Sequence, residues 1–305
     1  MESGRVVGIV ALCAAAAVAA VVGGTILLSR HESTTVPGAV TTPRAGTPVL
    51  RLEFGLRRDA EAVALSQAQS LLDAKHPQAA QAAAIFGRYT SVEARLGLAF
   101  AQWTGPGSLA VVRAIVASAP DSAAALLNLG FADYQAGRDG DALTALQQTA
   151  SRFPDSPYAV DALDALNPGP LAGLPPIVFD PKAVPAKARP DLEAGVRAWD
   201  LRHVVTARRL LDAAAALAPD APETLVADAV AQFSPATPKA PFPTLGPLSG
   251  RFPHASIIRL HLGILLLWNH QLALGKKNFR VAAAQQPGSV YAKQARAFLA
   301  ALGRR

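Results

Sequence analysis

Cysteine occurs once in these 305 residues, at Cys13. No intramolecular disulfide and no cysteine zinc site can therefore be built. Aromatic residues make up only 6 % of the chain, while alanine is abundant. A core of this composition is expected from closely approaching helices rather than from bulky side chains. Acid is missing from one end. Between Ala229 and Arg305 there is no Asp or Glu, against ten Lys or Arg, whereas the first 228 residues carry 19 basic and 22 acidic groups. A one-sign end attracts anionic partners through its field; a solvated terminal cap is the alternative.

The motifs of several enzyme classes are also missing. No phosphate loop, nucleophile elbow or His-Glu-x-x-His motif is present. Gly105-Pro-Gly107 lacks the preceding strand of a dinucleotide site and reads as a turn. Gly137-Arg-Asp-Gly-Asp141 lacks the later bidentate Glu of a calcium loop. His254, His261 and His270 stand seven and nine apart, which is not a zinc spacing. The expectation is a protein with no cofactor, no metal and no specific nucleic-acid partner, and not an enzyme.

What the chain does have is a repeated spacing. A small residue is followed after twelve positions by another small one, four later by a large apolar residue, and eight later by a proline. The sets are Gly130–Ala142–Leu146–Pro154, Gly195–Ala207–Leu211–Pro219 and Gly263–Gly275–Phe279–Pro287. Small residues belong where two helix axes cross, and a mid-helix glycine, about 1 kcal/mol worse than alanine, needs such a packing reason. The prolines end the second helix; Asp155-Ser156, Asp220 and Ser289 then offer N-caps to the next. Pro120 and Pro253 fall on the same register, 34 residues before Pro154 and Pro287, and Gly97 marks a further repeat over 91–118.

This pattern resembles the tetratricopeptide repeat (TPR), a pair of helices about 34 residues long. The expected fold is all-α, a TPR-like α-solenoid of stacked helix pairs over 51–305, preceded by one transmembrane helix. Proline-rich stretches at 167–190 and 234–253 are expected to replace the second helix of two repeats, because interior prolines break helices. Ile177-Val-Phe179 and Val49 to Phe54 are the only strand-like runs and are expected to pair as a small ribbon.

Val6 to Leu28 is an uncharged run between Arg5 and Arg30, long enough to span a bilayer. A cleaved signal peptide competes with a single anchor here; the anchor is preferred because the apolar run outlasts a signal core. Residues 1–5 form a short tail and 29–50 a Thr/Pro-rich tether stiffened by Pro37, Pro43 and Pro48. A single-pass protein with its repeats outside the cytoplasm is expected.

The resemblance implies that the first helix of each pair lines a concave groove for a protein or peptide client. By position relative to the small residue, the groove residues are Asn128, Phe131, Tyr134 and Gln135 in one repeat. Trp199 and Asp200 follow in the next, and His261, Ile264 and Trp268 in the last. Packing between repeats or under the proline-rich loops is the alternative for Tyr134 and Trp199. Lys276, Lys277 and Arg280 share a helix face suited to anionic lipid, wall polymer or an acidic protein. The function this implies is a non-catalytic membrane-anchored scaffold or adaptor in a bacterial cell envelope. An anchored assembly chaperone resembling the TPR factors of cytochrome c maturation, or a subunit of an enzyme complex, is the alternative.

Overall fold

The computed structural model describes residues 42–303, so the transmembrane helix expected over 6–28 lies outside the described residues. Among these there are fourteen α-helices, two 3-10 turns and no strand, and no helix is long and apolar enough to cross a membrane. The chain divides into two compact units at the Leu166/Asn167 junction, each with its own apolar core.

In the first unit α1 (Ala60–Leu72) is followed by α2 (Ala79–Phe86), α3 (Val92–Ala101), α4 (Leu109–Ser118), α5 (Ala123–Gln135), α6 (Asp139–Arg152) and α7 (Pro157–Leu166). Each helix packs on its successor, and α1, α3, α5 and α7 also touch one another in turn, forming a row. The second unit has the same plan. It contains α8 (Arg189–Asp200), α9 (Val204–Leu217), α10 (Pro222–Ala231), α11 (Phe242–Arg251), α12 (Ser256–Trp268), α13 (Leu272–Gln285) and α14 (Val290–Gly303). Here α8, α10, α12 and α14 make the row. Three helix pairs and one closing helix thus occur twice.

The starts and stops follow from local chemistry. Asp59, Ser91, Ser122, Ser156 and Ser289 each accept the backbone N–H three residues on, satisfying an otherwise orphaned donor at a helix start. Asp220 does not cap; it is exposed and pairs with Arg251. Pro120, Pro154, Pro219, Pro253 and Pro287 each stand two residues beyond the last residue of α4, α6, α9, α11 and α13.

The small residues sit at helix crossings. A Cβ at Gly263 would lie 2.5 Å from the Phe279 ring of α13, and one at Gly275 would lie 3.2 Å from the Gly263 carbonyl. Gly130 meets Leu146 and the Ala142 carbonyl of α6. Gly195 meets Leu210 and Leu211 of α9. Gly97 differs, because it faces Phe86 of α2, in the preceding pair, rather than α4.

Three expectations are corrected. The 234–253 stretch is not a loop in place of a helix, since α11 forms within it. Pro241 precedes that helix and Pro243 occupies its first turn, where no intrahelical N–H partner is required; only Pro247 lies inside. Burial of Leu245 and Leu248 opposes the cost of that one lost bond. The chain therefore does not alternate complete and half repeats; of the two supposed half repeats, only α7 lacks a partner helix. The ribbon is also absent: 49–54 and 177–179 carry no regular secondary structure and form no bridge. Finally, the tether boundary at residue 50 falls inside a packed segment, because Pro48, Leu50 and Leu52 are all buried.

Candidate peptide-binding grooves

The non-helical segments are where the groove residues make their contacts. In the first unit Asn128, fully buried on α5, grips the backbone of Arg51 from both sides. Its Oδ1 accepts the Arg51 N–H at 2.9 Å and its Nδ2 donates to the Arg51 carbonyl at 2.7 Å. The second amide hydrogen goes to the Ala124 carbonyl, which fixes the side chain. Gln135, the last residue of α5, donates to the carbonyls of Arg44, Ala45 and Gly46, and its own carbonyl accepts the Arg44 N–H at 2.9 Å. The Tyr158 hydroxyl on α7 accepts the Glu53 N–H at 3.0 Å.

Around these backbone contacts, Arg44 adds a side-chain clamp. Its guanidinium forms a two-pronged pair with Asp139 at 2.7 and 3.0 Å, donates to the Tyr134 carbonyl and lies 3.5 Å from the centroid of the Tyr134 ring. Phe131 packs against the apolar cluster that contains Leu50 and Leu52.

The second unit treats 173–180 in the same way with different side chains. The indole N–H of Trp268 donates to the Gly173 carbonyl at 3.2 Å, and that of Trp199 to the Pro175 carbonyl at 2.8 Å. His261 Nε2 accepts the Val178 N–H at 3.0 Å. The other ring nitrogen, Nδ1, lies 2.8 Å from the Ile257 carbonyl and so carries the proton, which leaves Nε2 free to accept. Complete burial holds His261 neutral, pushing its pKa down to about 4 despite the Ile257 contact. The Tyr291 hydroxyl accepts the Asp180 N–H at 3.0 Å and donates to Glu223 Oε1 at 3.0 Å. Burial raises both Tyr291 and Glu223 above their ordinary values, so Glu223 is biased toward its neutral form.

Ile264 is buried in the cluster that also holds Ile177 and Val178. Asp200 stands exposed at the end of α8 with no hydrogen bond to the segment. Of the nine proposed groove residues, six therefore touch an extended segment through hydrogen bonds or ring contact: Asn128, Tyr134, Gln135, Trp199, His261 and Trp268. Lys277 and Arg280 are exposed on α13 and Lys276 is partly so. Among the described residues no group of three His, Cys, Asp or Glu could hold a metal ion. The depressions are shallow and open, such as one of about 280 Å³ beside Arg113 and Asp133.

Reasoning from sequence missed Tyr158 and Tyr291, each four residues after a repeat proline, and it paired 49–54 with 177–179 rather than giving each its own place in one unit. A signal for both was present. Pro43-Arg-Ala-Gly46-Thr-Pro48-Val-Leu50-Arg-Leu52-Glu53 recurs 127 positions on as Pro170-Leu-Ala-Gly173-Leu-Pro175-Pro-Ile177-Val-Phe179-Asp180. Gly46 and Gly173 both adopt positive φ, 92° and 74°, a conformation that glycine takes without steric cost. Neither the scan against protein-family models nor the search of curated proteins finds a match to this chain.

Proposed function

We propose that the chain is a non-catalytic scaffold or adaptor of TPR type, anchored in a bacterial membrane by residues 6–28. Its helix rows hold extended polypeptide in grooves outside the cytoplasm. The observation that carries this is the two-sided grip of Asn128 on the Arg51 backbone. A contact of that kind recognises an extended main chain whatever its side chains, which is what a groove for polypeptide requires. The repeated row of first helices and the small-residue crossings support the solenoid assignment. The acid-free end, with Lys277 and Arg280 exposed, gives the second unit a positive field suited to an anionic surface.

Proximity labelling from the anchored full chain tests this reading. Clients labelled by the wild type are expected to be lost when Asn128→Ala and Trp199→Ala are combined. An unchanged client set, with helical content preserved by circular dichroism, would show that the grooves do not carry the interaction.

A further inference from the structure

The two grooves meet their segments at corresponding points. Gly46, Arg51 and Glu53 supply the main-chain groups in the first unit, and Gly173, Val178 and Asp180, each 127 positions later, supply them in the second. The side chains that meet them are Gln135, Asn128 and Tyr158, and then Trp268, His261 and Tyr291, each 133 positions later. Two of the three groove residues differ between the units, yet the partner atom on the segment is the same each time: the Gly carbonyl, the N–H five residues on and the N–H seven residues on. What both units share is the geometry of the bound segment. Apolar residues flank those contacts at matching places, Leu50 with Ile177 and Leu52 with Phe179, and Pro48 and Pro175 are both buried.

The segments are also attached as ligands are. They enter no sheet, and the groove holds them mainly by side chains reaching their main chain. Only residues 54–59 in the first unit, and 181–188 in the second, separate each segment from the first helix of its own unit.

Resting on the scaffold reading above, we propose that both grooves share one recognition pattern, Ala-Gly-x-Pro-x-apolar-x-apolar-acidic in extended form. The chain's own segments are built-in occupants, displaced in use by a segment of this pattern from a separate partner protein. Glycine supplies the left-handed turn, the proline favours extended backbone and fills a buried position, and the two apolar side chains anchor the peptide in the core. A short tether gives a built-in occupant an effective concentration on the order of millimolar, so the grooves are masked until it is loosened.

The test uses the full chain with Leu50→Asp and Leu52→Asp, which disable the first segment and leave its groove intact. Fluorescent peptides covering residues 42–55 and 168–181 are expected to bind this chain at least about tenfold more tightly than the wild type. A 42–55 peptide with the same two substitutions is expected not to bind. Absence of capture by a variant with wild-type circular dichroism would overturn the proposal.

Should that variant fail to fold, the wild-type chain still decides. Excess 168–181 peptide, which contains no Lys or Arg, is expected to speed tryptic cleavage after Arg51 at least about threefold by displacing the built-in segment. An unchanged cleavage rate would overturn it. Wild-type dimers in ultracentrifugation that vanish with Leu50→Asp and Leu52→Asp would make the occupant a second copy and overturn the assignment to a separate partner. Absent peptide capture, with labelled clients still lost on combining Asn128→Ala and Trp199→Ala, would remove the shared pattern and leave the scaffold; absent capture with an unchanged client set in that double variant would remove both.

Discussion

The two units solve one problem with different side chains. The first holds its segment with amides and an ion pair: Asn128, Gln135 and the Arg44–Asp139 bridge. The second uses aromatic and imidazole nitrogens: Trp268, Trp199 and His261. At the positions matching Arg44 and Asp139 it carries Leu171 and Leu272, so no ion pair can form there. The side-chain clamp is thus replaceable, whereas the three main-chain contacts occur in both. A peptide main chain offers the same donors and acceptors whatever its sequence, and this is the part of the segment that both grooves address.

The largest contrast to probe is pH. His261 has a folded pKa near 4 against an ordinary value near 6.5, so between those values the unfolded chain binds the extra proton. Stability in the second unit therefore falls as pH drops from about 6.5 toward 4, and the His261 contribution levels off below. The loss amounts to at most about 3 kcal/mol. Installing the first unit's residue with His261→Asn is expected to abolish this contribution. Comparing the two chains at each pH cancels every other titrating group. Denaturant unfolding followed by Trp199 and Trp268 fluorescence in a Trp103→Phe background reads the second unit alone; equal pH slopes for the two chains would contradict the assignment.

A smaller contrast lies in the helix crossings. Gly263→Ala would push a Cβ to 2.5 Å from a stiff aromatic ring, while Gly130→Ala meets the Leu146 side chain at 3.0 Å. Overpacking costs about 1–3 kcal/mol, against about 1 kcal/mol gained in helix propensity. The first substitution is expected to destabilise its unit by about 1–2 kcal/mol and the second to change stability by less than about 1 kcal/mol. Denaturant midpoints check the order, and a larger loss at Gly130 would reverse the packing account.

Much of this architecture was legible because helix pairs leave a periodic trace. The prolines two residues beyond α4, α6, α9, α11 and α13 even marked the end of α11, although the proline-rich composition before Pro253 argued against a helix there. Composition misled because proline is harmless in a first turn, where Pro243 lies, and only Pro247 acts against the helix. Asn128, Gln135, His261 and Trp268 were singled out only through the TPR resemblance, which assigns positions by their distance from Gly130 and Gly263. No such resemblance marks the occupants. A segment gripped by side chains has no helical period and no strand partner, so 43–48 resembled a tether, 170–176 a loop, and 49–54 with 177–179 a strand pair. Only comparison of 43–53 with 170–180 reveals them, since their likeness lies in Ala-Gly-x-Pro and two apolar positions rather than in any periodicity.

Hydrogen exchange at four amides tests the central claim most directly, that each unit holds an extended segment by its main chain. In the full chain the amides of Arg51, Glu53, Val178 and Asp180 are expected to exchange more slowly than in the free peptides. Asn128→Ala, which leaves the Arg51 main-chain groups unpaired, should speed exchange at Arg51 and leave Val178 unchanged; His261→Ala should do the reverse. Free-peptide rates at these amides in the wild-type chain would contradict the account.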